Sequence, residues 1–396
     1  MPSFRIGSIA GIPIRLGLSF LLVLPLVAWF IGTDVGQLTM LMNDVLGANL
    51  QTEVLSAGTT PYLLGAIAAI GLFVGVVLHE LGHSLVAMRF GYPIESITLW
   101  FLGGIAQMRE MPEDWREEFA VAVAGPVVSV VLGVLSFVVF LLVPESIGTA
   151  RFVFAYLALL NVALAIFNLL PGFPMDGGRV LRALLARNRS HDRATQIAAE
   201  VGKGFAFLLG LVGLLIGAIF WIAIAFFIYI SAAGEAQQAV TKAALQGVAV
   251  ERVMTPAEAV DSVTPETTVA ELINRMLDER HTGYPVFEDG ELVGMVTLSD
   301  AQTVREVERD AYRVEEVMAR DLYTIPEDDD AMDALSVMQS QGVGRLPVVD
   351  VRGEFVGLVS RTDLMTALTI IQSSGAGTPT DISPESSPRS PEETPR

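Results

Sequence analysis

Five apolar runs of roughly twenty residues or more decide what this chain can fold into. They cover 14–32, 62–90 (apolar as far as His79), 119–143, 152–170 and 204–230. A backbone inside lipid has no water to bond, so such runs become helices whose hydrogen bonds close internally. Only 17% of the residues are charged, against about a quarter in soluble chains. The first run is long for a signal-peptide core, and no small-x-small cleavage site precedes the polar segment at Thr33. It reads as an anchor. The last run, with an amphipathic lead-in from Ala194, reads better as two short spans turning near Gly217 than as one tilted helix. Six spans are expected.

Positive residues set the orientation. Arg5 and Arg15 precede the first span, whereas 33–61 has no Lys or Arg. Arg89, Arg109 and Arg116 separate spans two and three, and only Arg151 lies between three and four. Arg179, Arg182, Arg187, Arg189 and Arg193 follow span four. The N-terminus is therefore expected in the cytoplasm, spans two and four run inward, and the segment after the last span is cytoplasmic. Residues 1–250 hold 15 acids and 13 bases, whereas 251–396 hold 29 and 12. Nucleic acid is an unsuitable partner for so negative a back half, because phosphates need Lys and Arg. There is no Cys, which excludes disulfides and thiolate metal sites. Only Lys203 and Lys242 are lysines, and with the acidic excess this suggests a salt-adapted cytoplasm.

From Val250 the pattern turns soluble and α/β, and it repeats. Glu251-Arg252-Val253-Met254 recurs at Val314-Glu315-Glu316-Val317-Met318, and Tyr284-Pro285-Val286 recurs as Leu346-Pro347-Val348. Glu291-Leu292-Val293-Gly294-Met295-Val296-Thr297 recurs as Glu354-Phe355-Val356-Gly357-Leu358-Val359-Ser360. Each copy reads strand, helix, strand-turn-strand, helix. The expected division is a membrane domain at 1–245, repeats at 246–310 and 311–372, and a tail at 373–396. The tail is Ser, Pro, Thr, Gly and Glu, which bury no core, so it is expected to be disordered.

Chemistry enters at the inner end of span two, with His79-Glu80-Leu81-Gly82-His83. Positions i and i+4 of a helix lie on one face, so both imidazoles can reach one ion. Glu80 stands beside them as a general base for water activated there. HExxH patterns also arise by chance. Inside an apolar span, however, two His and a Glu are costly unless paired, metal-bound or facing water, and span two offers no partners. Zinc binding is the expectation.

Two histidines leave a tetrahedral zinc site short of a protein ligand. His191 sits in an Arg-rich turn and His281 in the first repeat, both poor candidates. Span four ends in Asn168-Leu169-Leu170-Pro171-Gly172-Phe173-Pro174-Met175-Asp176-Gly177-Gly178-Arg179. Spans two and four run the same way, so Asp176 comes to a similar depth. The prolines and glycine expose backbone there, which membranes tolerate only beside a cavity or inside protein. Asp176 is the expected third ligand. The alternative is a helix N-cap at the bilayer surface.

HELGH within a span, followed by NLLPGFPMDGGRVLRALL after a later one, resembles the site-2 protease family of intramembrane zinc metalloproteases, in its prokaryotic branch with C-terminal CBS domains. The likeness covers roughly residues 1–245, and Met175-Asp176-Gly177 stands where the family has its LDG motif. It implies one Zn2+ per chain held by His79, His83 and Asp176, with Glu80 as catalytic acid/base. It also implies that Asn168 lies near the cleft, holding substrate or oxyanion; capping of the broken backbone is the alternative. The stretch 96–108 has β-branched and aromatic residues flanking Gly103-Gly104, a hairpin signal. In the family this suggests a membrane-dipping hairpin, whose strand edge can hold an unwound substrate. Ala124-Gly125-Pro126 in span three is also family-like, and its small residues read as allowing close helix packing.

Each soluble repeat resembles a CBS motif, and two such motifs form a module that often binds adenine nucleotides. Gly-x-x-Thr/Ser-x-x-Asp appears at Gly294 to Asp300 and at Gly357 to Asp363. The hydroxyls of Thr297 and Ser360 suit phosphate or base, Asp300 and Asp363 suit ribose hydroxyls, and Arg361 suits phosphate. Alternatively the carboxylates only cap the next helix and the module mediates a homodimer. The fold expected is a polytopic α-helical membrane protein of about six spans, followed by a soluble α/β tandem CBS module. The activity expected is hydrolysis of peptide bonds in or near membrane spans of a membrane-protein substrate within the bilayer. Rival readings are a CBS-regulated channel or transporter, which usually shows duplicated membrane halves, and a catalytically inactive scaffold.

Overall fold

The computed structural model describes residues 3–101, 103–108, 112 and 114–374. The expected disordered tail therefore falls outside the described residues, apart from its first two. At the N-terminus, strand β1 (Ser3–Ile9) pairs antiparallel with β2 (Ile12–Gly17), and helix α1 (Leu18–Thr33) begins only after them. The span expected from Ile14 thus starts at Leu18. Sixteen residues rise about 24 Å, less than the roughly 30 Å of hydrocarbon. Helix α2 (Val35–Leu46) continues the path after a 68° bend. A single turn, α3 (Thr52–Leu55), precedes the long α4 (Thr60–Arg89).

Strands β3 (Ile94–Trp100) and β4 (Gly103–Met108) form the expected hairpin, and β3 also pairs in parallel with β2. The sheet order is β1-β2-β3-β4. Its apolar face packs Ile12, Ile14 and Ile97 against Val77 and Leu81 of α4. The sheet is therefore seated on the helix turns that carry His79. The Gly-Gly pair is not the turn. Trp100 pairs with Gly103 and Leu99 with Gly104, so both glycines begin β4.

Helices α5 (Trp115–Leu142) and α6 (Gly148–Asn168) are long and apolar, and both pack on α4. The shorter α7 (Asp176–Ala186) then leads to α8 (His191–Leu215) and α9 (Ile219–Leu245). Gly217, at φ +69°, makes the expected turn between the last two. They are 25 and 27 residues long rather than short, because polar stretches at 191–203 and 231–245 prolong the apolar runs. Among the described residues five helices are long and apolar enough to span a membrane, or six if α1 and α2 count as one bent span.

Residues up to Ala239 form one compact unit and those from Val240 another. In the second unit β5 (Thr255–Pro256) precedes α10 (Val269–Glu279), β6 (Gly283–Glu288), β7 (Glu291–Thr297) and α11 (Leu298–Ala301). The second copy runs β8 (Ile325–Pro326), α12 (Ala331–Gln341), β9 (Arg345–Val349), β10 (Phe355–Ser360) and α13 (Arg361–Ser374). The repeats exchange their leading segments. Thr255 pairs with Leu358 of the second copy, and Ala319, in the leading segment of the second copy, bridges Met295 of the first. Val250 is accordingly buried in the core with Val348 and Val359, while Val314 lies in the core with Val286 and Val296.

Candidate metal centre and active site

Helix α4 places His79 and His83 on one face, each almost fully buried. Asp176 is the first residue of α7, but it does not cap that helix. Its carboxylate instead turns to the imidazoles. Asp176 Oδ2 lies 3.1 Å from His79 Nε2 and 3.2 Å from His83 Nε2, and the two Nε2 atoms are 3.2 Å apart. Among the described residues these three form the one cluster of its kind.

The outer nitrogens decide what this triangle is. His83 Nδ1 lies 2.7 Å from the carbonyl of Val121, which can only accept, so Nδ1 carries a proton and Nε2 is the nitrogen left to take a metal. His79 Nδ1 meets Ser129 Oγ at 2.8 Å, so here too Nε2 is the nitrogen that faces the cluster. With both rings neutral, three electron-rich atoms face one another, an arrangement that suits a cation. Two ligands of a tetrahedral zinc at about 2.0–2.1 Å stand about 3.3 Å apart, close to the observed edges. The donor set fits zinc.

Helix α5 supplies the support that sequence reasoning missed. Val121 and Ser129 hold the outer nitrogens, and a Cβ on Gly125 would overlap the His83 ring. Gly125 thus makes room for the His83 ring and does more than let helices approach. Ser129 is one of two serines in the apolar stretch 119–143, the other being Ser136, so a hydroxyl there was a weak signal. Glu80 is half-buried one residue from His79, and β4 passes beside it. A Cβ on Gly104 would stand 2.5 Å from Glu80 Cγ, so the second residue of this strand has no room for a side chain. Asn168 ends α6, half-buried; among the described residues no hydrogen bond joins it to the triangle. His191 Nε2 lies 3.5 Å from Glu118 and His281 Nε2 3.5 Å from Asp261, so neither belongs to the cluster.

In the second unit the two signatures adopt the same local form. Thr297 donates its N–H and hydroxyl to Asp300 Oδ2 at 2.8 and 2.6 Å, and Ser360 does so to Asp363 Oδ2 at 2.8 and 2.7 Å. Both carboxylates therefore cap the following helix. Arg361 donates to the carbonyl of Met338 at 3.1 Å. Arg345, the counterpart of Gly283, reaches the first copy through Gly283 O and Thr282 Oγ1. Burial pulls its guanidinium below the ordinary value, and the nearby Asp363 charge offsets part of that.

A membrane-embedded metallopeptidase is the class that these helices and this donor set define. The Peptidase family M50 profile matches residues 67–148 and 145–211, and the CBS domain profile matches 250–304 and 314–370. A zinc metalloprotease of Methanocaldococcus jannaschii is 34% identical over 370 residues, 93% of this chain and 97% of that one. The solved site-2 protease from the same organism is 37% identical, covering 59% of this chain and 95% of its own, with a TM-score of 0.43. The chain belongs to Peptidase family M50 and is a multi-pass zinc metalloprotease of the site-2 type with a C-terminal pair of CBS domains.

Proposed function

We propose that His79, His83 and Asp176 hold one Zn2+ per chain, and that Glu80 is the acid/base for hydrolysis of a peptide bond in or near a membrane span of another protein. The carrying observation is the convergence of two imidazole nitrogens and one carboxylate oxygen within 3.2 Å. A zinc ion held there supplies a Lewis acid that acidifies water and polarises the scissile carbonyl. Glu80 takes the proton from the attacking water and returns it to the leaving amine. The outer edge of β4 beside Glu80, unpaired among the described residues, suits a substrate segment unwound into an extended strand, and Asn168 at the end of α6 serves substrate or oxyanion.

Zinc content and cleavage, measured together on purified protein, test this reading. Glu80→Gln is expected to abolish cleavage of a membrane-protein substrate and to keep stoichiometric zinc. His79→Ala, His83→Ala and Asp176→Ala are each expected to lose both. Full activity in Asp176→Ala would put the third ligand elsewhere, and no cleavage by the wild-type chain would leave an inactive scaffold.

The CBS module, in the cytoplasm with the N-terminus, binds an adenine nucleotide through Thr297, Asp300, Ser360, Arg361 and Asp363 in this proposal. Nucleotide binding regulates the protease by biasing two arrangements of the module. A ligand biases such states only by its difference in affinity, on the order of 1–3 kcal/mol. The module also offers a route to a homodimer.

A further inference from the structure

We propose that Glu118 and Arg182 are positioning residues for Asp176, so that one face of α5 orients all three ligands; this rests on the zinc assignment above. Glu118, Val121, Gly125 and Ser129 recur at helical spacing along α5 and share a face. Ser129 orients His79, while Val121 and Gly125 fix and accommodate His83. Glu118, the first of this row, reaches the third ligand through Arg182.

Arg182 is only 6% exposed and Glu118 3%. Arg182 Nε donates to Glu118 Oε1 at 2.6 Å, and Nη2 approaches the same oxygen at 2.5 Å. The guanidinium also lies over the ring of Phe173, 5.1 Å from its centroid, and that ring is itself buried. Phe173 precedes Asp176 in the connection from α6, and Arg182 follows it on α7. One side chain therefore ties down the chain on both sides of the ligand and anchors it to α5. Glu118 Oε2 faces His191 at the start of α8, and Arg182 Nη1 stands 3.9 Å from Glu235 of α9. A buried ion pair is weak evidence for stability, because apolar residues of similar volume often serve as well or better. What an apolar pair does not supply is a fixed rotation of α7 about its axis, and that rotation aims Asp176.

The test is zinc affinity of the full-length protein, measured by chelator competition, with helical content and monodispersity recorded for each variant. Glu118→Gln combined with Arg182→Gln removes both buried charges and keeps a hydrogen-bonding pair. It is expected to remain folded and to weaken zinc binding by about ten- to a hundred-fold, the usual range for groups that orient ligands. Arg182→Lys keeps the charge, loses the fork, and should shift affinity the same way by less. Asp176→Ala no longer holds stoichiometric zinc, and either change should have no further effect on the weak two-imidazole affinity left in it, whereas Ser129→Ala should still weaken that affinity, because it acts through His79. An unchanged affinity in the two Arg182 variants overturns the proposal. So does a loss of equal size with and without Asp176, which would mark a general packing role. If Asp176→Ala alone leaves wild-type affinity intact, the zinc assignment fails and this inference falls with it.

Discussion

Ser129 Oγ on α5 lies 2.8 Å from His79 Nδ1 on α4, and both residues are closed off from solvent. A hydroxyl in an apolar helix stretch finds its partner in the outer nitrogen of a proposed ligand, and so fixes the ring orientation that turns Nε2 towards Asp176 and His83. Ser129→Ala should leave the fold unchanged and lower zinc affinity by about ten-fold or more. Cleavage should fall in parallel and recover on adding zinc. Chelator competition checks the affinity, and unchanged zinc binding would make the contact incidental.

Gly125 sets a harder limit. An added methyl would sit inside the space of the His83 ring, and a closely packed helix pair yields little. Overpacking of this kind costs about 1–3 kcal/mol, here paid mostly by the ring. Gly125→Ala should therefore lose zinc more completely than Ser129→Ala. The melting temperature of the metal-free protein should change less than that of the zinc-loaded one. Comparing melts with and without zinc decides whether the methyl displaces the ligand or only the helix.

Much of this was legible in the sequence, and the failures share a cause. Apolar length and i, i+4 spacing are local signals, so α4, α5, α6 and the shared face of His79 and His83 could be read directly, whereas Asp176 needed the depth of span four and the family resemblance. The strand β2 could not, because Ile12 and Ile14 continue seamlessly into the apolar α1, while their partner Ile97 lies more than eighty residues on. Gly103 and Gly104 looked like a turn, yet Gly104 is small because Glu80 lies against it. In the repeats, the exchange of leading segments leaves each copy's own alternation intact, so nothing local betrays it. The Glu118–Arg182 pair was hidden for the same reason: each residue looked like an ordinary charge beside a span.

Arginine placement predicts sidedness, and the absence of Cys makes it simple to read. Gln51→Cys, in the Lys- and Arg-free segment after α2, should react with an impermeant maleimide on intact cells. Val351→Cys, highly exposed between β9 and β10, should react only after permeabilisation. The reverse pattern would invert the orientation and put the proposed zinc site towards the outer face.

The capping carboxylates allow stability and ligand binding in the CBS module to be separated. Asp363 Oδ2 accepts both the N–H and the hydroxyl of Ser360, so Asp363→Ala strips a cap and should cost the module about 0.5–2 kcal/mol. Asp363→Asn keeps an acceptor of the same shape and should melt close to wild type. A nucleotide ribose, by contrast, donates its hydroxyls to the carboxylate charge, and hydrogen bonds to charged groups are worth about 1.5–3 kcal/mol. Asp363→Asn should therefore weaken adenine-nucleotide binding about ten-fold or more while sparing stability, with Asp300→Asn behaving alike if its cleft also binds. Calorimetric titration of the full-length protein with ATP, ADP and AMP at high salt measures this directly. Equal affinity in Asp363→Asn and wild type would assign Asp363 to capping alone. No heat with any of the three nucleotides would leave the module as a device for dimerisation.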